Sequence, residues 1–424
     1  MAKILNQVIA NDFCSFGDNV KNLLYVTEID SFAWFSDGYY KLINQREMEK
    51  KVYMFMTSKY KDQNITMNSV KDIIAQIKFV VFTVIPDVTT QYIGISNSYI
   101  FNKETMQVES FSPEKIALTK IPKPSVDSSP PPKWSKFLSE VLVDSNNNTD
   151  QELIDLLQEI FGYCLLNTLE AHASFFLVGG GRNGKSVTLS VLREMIGKEF
   201  VESISIETLT TNQFAAHSLV GKVLNICGEE ESKFIKSDKF KAMVSGDPMT
   251  INRKYDSLFT WIPTVKYIFS TNEMPTFTGF NEGLLRRIII LPFNYKVSNE
   301  KRITNLDKQL IEELPQITAW AIEGAKRLKA NKFLFTKSNQ AEKKKIEFQE
   351  NISSAVLFFN ERYDIGGELD FVITEQLYEE YIAWSEKRGK KSSSYYTFVK
   401  DLKTYTGLEE QNNKLNVKPK VWNP

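Results

Sequence analysis

The sequence predicts an α/β fold: a parallel sheet built around a phosphate-binding loop, with an N-terminal α+β region before it and a C-terminal winged-helix-like module after it. Three observations lead there. Gly179-Gly180-Gly181-Arg182-Asn183-Gly184-Lys185-Ser186 fits the pattern G-x-x-x-x-G-K-[ST]. The apolar run at 174–178 reads as a buried strand, and Val187, Val191, Leu192, Met195 and Ile196 recur at helical spacing up to Gly197, a C-cap. Further apolar strands at 223–227, 265–269 and 288–291 alternate with helical segments, the order of a sheet that carries its ligand at the strands' C-terminal ends.

A chain of 424 residues exceeds one ordinary core. Lys plus Arg and Asp plus Glu are 52 each, so nucleic-acid binding would have to come from local basic clusters, not a global field. The longest apolar run, 79–85 with Thr83 inside it, is too short to span a bilayer, and no signal-peptide core precedes it. A cytoplasmic protein without a membrane partner is expected. Cys14, Cys164 and Cys227 are too few and too scattered for a disulfide framework or a zinc site. His172 and His217 are the whole histidine inventory, which argues against transition-metal clusters and His-dependent nucleophilic triads.

In chain order, residues 1–120 mix α and β. Ser36-Asp37-Gly38 marks a hairpin turn between 31–35 and 39–42; 64–78 contains a helix, and 92–101 reads as a strand. The hairpin's aromatics are read as packed more often than as base-stacking. Prolines and serines make 121–148 a linker region. Thr149-Asp150-Gln151-Glu152 reads as a capping box that opens a helix with a Leu153, Leu156, Leu157, Ile160, Phe161 stripe. The nucleotide-binding domain is placed at 149–335 and ends in helical sequence broken near Pro315, as a single helix or a pair. Residues 336–424 form the C-terminal domain: a charged helical stretch at 338–363, then two amphipathic helices separated by Lys387, Arg388, Lys390, Lys391 and three serines, which suit either phosphate contact or the solvated loop of a protein-binding module.

The phosphate loop needs residues without side chains where the backbone wraps the β-phosphate, which Gly179 and Gly184 supply. Lys185 offers its cation to the β- and γ-phosphates, and the Ser186 hydroxyl is the expected Mg²⁺ ligand; ATP and Mg²⁺ are therefore the expected cofactors, held along Gly179 to Val187. Glu229-Glu230-Glu231 follows a strand at the place where carboxylates can hold the metal and poise a water; Glu229 fits nearer the metal and Glu230 the water-polarising base. Asn272 ends the next strand and can bond both water and γ-phosphate. Arg286 and Arg287 lead into the last strand, and an arginine entering the site of a neighbouring subunit would stabilise transition-state charge. The flanks 249–252 and 257–260 can pair as a hairpin that puts Arg253, Lys254 and Tyr255 at an exposed tip.

The succession of phosphate loop, paired acids, a Lys-bearing hairpin after Ser245-Gly246-Asp247-Pro248, then Ser270-Thr271-Asn272-Glu273-Met274-Pro275 and Arg286-Arg287-Ile288-Ile289-Ile290-Leu291, resembles superfamily 3 helicases. It looks most like the branch of phage, plasmid and genomic-island primase-helicases, over about 171–293. The resemblance implies an AAA+-type core in a homo-hexameric ring that moves 3′ to 5′ on single-stranded or forked DNA. Carried over by position, Lys185 and Ser186 bind phosphate and magnesium, Glu229 and Glu230 are the acidic motif, Asn272 is the polar sensor, Lys254 touches DNA, and Arg287 is favoured over Arg286 as the finger acting in trans. Two departures are Glu231, which leaves the acidic frame open by one residue, and the doubled arginine. The absence of histidine before His172 argues against a primase of the type such relatives carry, so a separate primase and host replication proteins are expected partners. Two other classes stay open: an ATP-switched origin-binding initiator without motor activity, and a P-loop kinase of a small molecule, for which no acceptor pocket is evident.

Overall fold

Asp37-Gly38 decides the first local structure: with φ of 55° and 88° the pair makes the two-residue turn that a right-handed hairpin requires. Helices α1 (Asn6–Ser15) and α2 (Asn19–Asn22) and strand β1 (Leu23–Val26) lead to β2 (Ser31–Ser36) and β3 (Tyr39–Ile43), with Ser36 opposite Tyr39. α3 (Gln45–Lys59) opens with a reciprocal cap between Asn44 and Glu47, and α4 (Met67–Val80) with one between Thr66 and Ser69. β4 (Phe82–Thr83) joins parallel to β1, completing a sheet of order β3-β2-β1-β4. Phe13, Val52, Phe55, Ile73 and Ile77 close a core of their own with Phe32 and Ile43 of this sheet. The computed structural model describes residues 6–61, 63–83, 91–112, 114–125, 130–166, 168–212, 214–230, 234–251, 259–278, 281–298, 303–367, 370–409 and 413–420.

Residues 1–120 do not share one core. The 92–101 stretch is two strands, β5 (Tyr92–Ser96) and β6 (Tyr99–Asn102), turned at Asn97-Ser98, and β7 (Gln107–Ser110) completes a three-stranded sheet. Its Ile93, Ile100 and Phe101 pack into the same core as the helices beside the central parallel sheet. The linker region is corrected too. Helix α5 (Pro132–Val141) begins at a proline, which a helix tolerates in its first turn, and buries Trp134, Phe137, Leu138 and Val141 in that central core. α6 (Gln151–Leu165) is capped by Asp150, whose carboxylate accepts from the Leu153 N–H at 3.0 Å. Thr149, expected as the cap, donates its hydroxyl to the Ser139 carbonyl at 3.1 Å.

The central region runs β8 (Ser174–Val178), α7 (Lys185–Ile196), β9 (Val201–Glu202), α8 (Ile206–Thr211), β10 (Leu224–Cys227), β11 (Phe234–Lys236), α9 (Ser237–Ser245), β12 (Met249–Ile251), β13 (Phe259–Trp261), β14 (Lys266–Thr271), β15 (Thr276–Thr278), α10 (Glu282–Leu285) and β16 (Ile288–Pro292). Five of these strands form one parallel sheet of order β16-β8-β14-β10-β9. β8 and β14 are buried at every position, as strands of a parallel sheet covered on both faces are, with apolar residues at 175–178 and 267–269. β12 and β13 pair antiparallel with Met249 opposite Trp261, so the expected hairpin flanks are present. Its tip, with Arg253, Lys254 and Tyr255, lies outside the described residues, as does Glu231.

α11 (Leu306–Ile311) and α12 (Leu314–Ala330) follow, with Pro315 in the first turn of α12. α12 lies against α6 at close range: a Cβ on Gly162 would sit 2.3 Å from the Ala325 nitrogen, and one on Gly324 2.2 Å from the Gln158 carbonyl. The charged stretch breaks at Ser353 into α13 (Asn339–Ile352) and α14 (Ser354–Arg362). The C-terminal module adds β17 (Tyr363–Ile365), β18 (Val372–Ile373), α15 (Thr374–Lys387), α16 (Tyr395–Thr406), β19 (Lys414–Leu415) and β20 (Val417–Pro419). β17 pairs with β20 and β18 with β19, both antiparallel, around a core of Phe358, Tyr381, Trp384 and Phe398. Among the described residues no helix is long and apolar enough to cross a membrane.

Candidate nucleotide-binding site

β8 delivers the chain to a turn where two glycines are required for different reasons. A Cβ on Gly179 would lie 2.3 Å from the Phe293 carbonyl oxygen and 2.4 Å from Asn183 Nδ2, so this glycine is set by packing. Gly184 has φ of 92°, where other L-residues are strained, and its missing Cβ faces Phe137 of α5 at 3.0 Å. Gly180 and Gly181 have open space where a side chain would stand. Arg182 also takes a positive φ, 64°, and its carbonyl accepts from the Val297 N–H at 2.9 Å.

The loop is tied to the last strand of the sheet. Asn183, buried, donates through Nδ2 to the Phe293 carbonyl at 2.9 Å, and its Oδ1 accepts from Lys185 Nζ at 3.2 Å. Lys185 Nζ also donates to the Gly179 carbonyl and, at 3.2 Å, to that of Gly180. Burial holds its ammonium below the ordinary lysine pKa. Asn183 is thus both an anchor of the loop and a partner of its cation.

A cleft of about 430 Å³ opens here, lined by the loop from Gly181 to Val187, by Gly228 to Glu230 and by Ser270 to Asn272. The loop, the acidic pair and the polar amide therefore meet in one place, because β8, β10 and β14 are parallel and end together. Ser186, Glu229 and Asn272 are exposed. Glu230 is buried: its Oε2 accepts from the Ile206 N–H at 2.8 Å, and its own N–H donates to the Ser270 carbonyl at 2.8 Å. Cys227, just before the acids, has its thiol pushed up to about 11 by burial and by the neighbouring Glu230 carboxylate, which keeps it protonated.

Arg286 and Arg287 are not brought into this cleft. Ser174, at the start of β8, donates its N–H to the Arg287 carbonyl at 2.7 Å, so the arginines stand at the opposite end of the sheet. At the rise of a parallel strand, the five residues of β16 separate them from the loop by about 16 Å. Arg287 is half-buried, donating from Nε to Ser245 Oγ at 2.8 Å and from a terminal nitrogen to the Gly283 carbonyl at 2.6 Å. Burial and the adjacent Arg286 hold its pKa below the ordinary arginine value. Arg286 is exposed.

Sequence reasoning passed over Gly228, Ser270 and Thr271 as cleft walls, although their places beside Glu229 and Asn272 were signal enough. The Ile206 N–H had no signal: a backbone donor meeting a carboxylate 24 residues away is invisible in residue types.

Residues 177–287 match the model of a family described as of unknown function, DUF5906. A protein of Acanthamoeba polyphaga mimivirus, named provisionally as a helicase, is 25% identical over 180 residues, which make up 41% of this chain and 18% of that protein. Primase D5 of Fowlpox virus (strain NVSL) is 27% identical over 179 residues, 39% of this chain and 22% of the viral protein. The chain thus spans about a fifth of the length of these curated relatives. Among solved structures, the apo A form of the NrS-1 C-terminal region shares the fold, with a TM-score of 0.52 at 12% identity, covering 93% of this chain and 95% of that one.

Proposed function

We propose that this chain is an ATP-dependent DNA helicase of superfamily 3, acting in the replication of a phage, plasmid or genomic island. The observation that carries the reading is the single cleft in which the phosphate loop, Glu229, Glu230 and Asn272 converge at the ends of parallel strands. The similarity to viral proteins named as a helicase and a primase supports DNA replication as the setting. In this reading Lys185 leaves its loop carbonyls for the β- and γ-phosphates, and the N-terminal end of α7 adds its backbone N–H groups. Ser186 and Glu229, both open on the cleft, are the hard-oxygen pair that suits Mg²⁺, which when bound neutralises phosphate charge. Glu230 orients the attacking water and Asn272 bonds it from the other side.

The arginine pair belongs to a neighbour's site in a ring, since about 16 Å of sheet separates it from the cleft of its own chain. Arg286 is the exposed member and reaches the neighbour; Arg287, bonded to Ser245 and Gly283, positions it. This reverses the preference drawn from the motif order. Lys254, in the stretch between β12 and β13, contacts single-stranded DNA, the C-terminal module contacts duplex in the manner of a winged helix, and the whole works in the cytoplasm as a hexamer.

The deciding experiment measures ATP-dependent unwinding of forks bearing only a 3′ or only a 5′ tail, with ATPase and primer synthesis followed alongside. Unwinding restricted to the 3′-tailed fork is expected. Lys254→Ala should keep basal ATPase and lose unwinding. ATP binding without steady DNA-stimulated turnover would replace the motor by an initiator that uses ATP as an assembly switch.

A further inference from the structure

The N-terminal hairpin and the helix that crosses it leave one aromatic ring in a basic cleft outside the nucleotide site. On the face of β2 and β3 turned to α3, Phe32 and Ile43 are cross-strand partners buried in the N-terminal core. Two residues further along, the next pair on that face is Trp34 and Lys41, and here the cover runs out: Trp34 is half-buried and Lys41 exposed. A cleft of about 320 Å³ forms between them and α3, walled by Lys50, Lys51 and Met54. Lys51 Nζ stands 3.8 Å from the centre of the Trp34 ring. The acid of this cleft, Glu47, has its Oε2 turned to the Asn44 N–H at 3.2 Å in the helix cap, so its charge is offset by the helix N-terminus. A second cleft of about 500 Å³ shares Glu47 and Lys50 and continues past Arg46 and the exposed Tyr53; its further acid, Glu49, accepts from Gln45 at 3.0 Å.

We propose that this track on the N-terminal domain binds single-stranded nucleic acid, with a base stacked on Trp34 and the flanking phosphates on Lys41, Lys50 and Lys51. A base has a π-face of the right shape for the ring, and its arrival moves the Lys51 ammonium from the ring to a phosphate, exchanging a cation–π contact for an ion pair. Tyr53 and Arg46 then lie ahead for the next nucleotide. An acidic peptide would satisfy the lysines and leave Trp34 without a role, which is why a strand is favoured over a protein partner. The other aromatics of the hairpin are engaged within the protein: Phe32 is buried, and Phe35 stacks on Phe111. Trp34 is the one of this hairpin's phenylalanines and tryptophan that opens on a basic cleft.

The test uses the full chain without ATP, in a Lys254→Ala background that silences the central hairpin. Fluorescence anisotropy compares a labelled oligothymidylate with an abasic oligomer of equal length. Trp34→Leu keeps apolar bulk and loses stacking; it should weaken thymidylate binding roughly tenfold and bring the two oligomers to equal affinity. Lys50→Glu with Lys51→Glu, on the helix surface and outside the N-terminal core, should weaken both oligomers and flatten the salt dependence by about 1.4 in log–log slope, two single-strand phosphate contacts. Unchanged affinity and slope in both variants would overturn the assignment. So would displacement of the strand by thymidine monophosphate at equal affinity, which marks a mononucleotide site. Competition by polyglutamate with no effect of Trp34→Leu would overturn it in favour of an acidic protein segment. Absence of unwinding by the wild type, with these shifts intact, would count against the helicase reading alone.

Discussion

Glu313, at the start of α12, carries an interaction that ties that helix to α5, 180 residues earlier in the chain. Its Oε1 accepts from the Lys133 N–H and its Oε2 from the Trp134 N–H, both at 3.0 Å, and the side chain is 8% exposed. These are first-turn donors of α5, which have no partner inside their own helix. Glu313→Ala strands both in a site where water cannot replace the carboxylate well. At roughly 1–1.5 kcal/mol for each charge-assisted cap bond, the loss is about 2–3 kcal/mol. Glu313→Gln should fall within about 1 kcal/mol of alanine, since the amide presents one oxygen and turns an NH₂ toward the second donor. The consequence reaches the glycine-rich loop because Phe137 and Val141 of α5 lie 3.0 and 3.1 Å from where a Cβ on Gly184 would stand. Urea unfolding followed by tryptophan fluorescence, with titration of a fluorescent ATP analogue, should show a lower midpoint at unchanged slope and affinity weakened at least about threefold. An unchanged midpoint, or lost stability with affinity intact, would refute the idea that α5 supports the loop.

Gly184→Ala should abolish nucleotide binding, because φ of 92° strains alanine by about 1–2 kcal/mol and Phe137 stands 3.0 Å from the added methyl; Gly181→Ala, with open space, should bind nearly as the wild type, and equal behaviour of the two in analogue titration would contradict this. Glu230→Gln should still bind ATP and lose hydrolysis by at least about a hundredfold; turnover near wild type in a phosphate-release assay would remove Glu230 from the base position. Lys266 is fully buried and its ammonium is pushed down to about 8, chiefly by burial. Its folded value lies below the ordinary 10.5, so the burial penalty is complete below about pH 8 and is relieved as pH rises toward 10.5, where the unfolded chain still holds the proton. Wild type should therefore gain stability relative to Lys266→Met between those limits; parallel stability curves from urea titrations would refute it.

Much of the cleft was legible in residue types because its chemistry is locally contiguous. Gly179 to Ser186, Glu229-Glu230 and Asn272 each lie just beyond the C-terminal end of a buried strand, and parallel strands that alternate with helices must end on one side. The Asp37-Gly38 turn and the hairpin flanks, read at 249–252 and 257–260 and found paired at 249–251 and 259–261, were readable for the same reason, since backbone pairing is set by near neighbours. Proline, by contrast, misled: Pro132 looks like a linker residue and is the first turn of a buried helix, because the missing N–H that breaks a helix inside costs nothing at its start.

The sequence by itself therefore determined the glycine-rich loop, the parallel strands that feed it and the side chains that line the cleft beside it. The tertiary structure alone decided that α5 is the floor of the loop, that Glu313 caps it, that Glu230 is held by the Ile206 N–H, and that the arginine pair faces away from its own cleft. Each of these joins groups distant in sequence through a backbone donor or a packing distance. Residue type carries no record of either, because every residue but proline has the same N–H and only the folded chain says what stands opposite it.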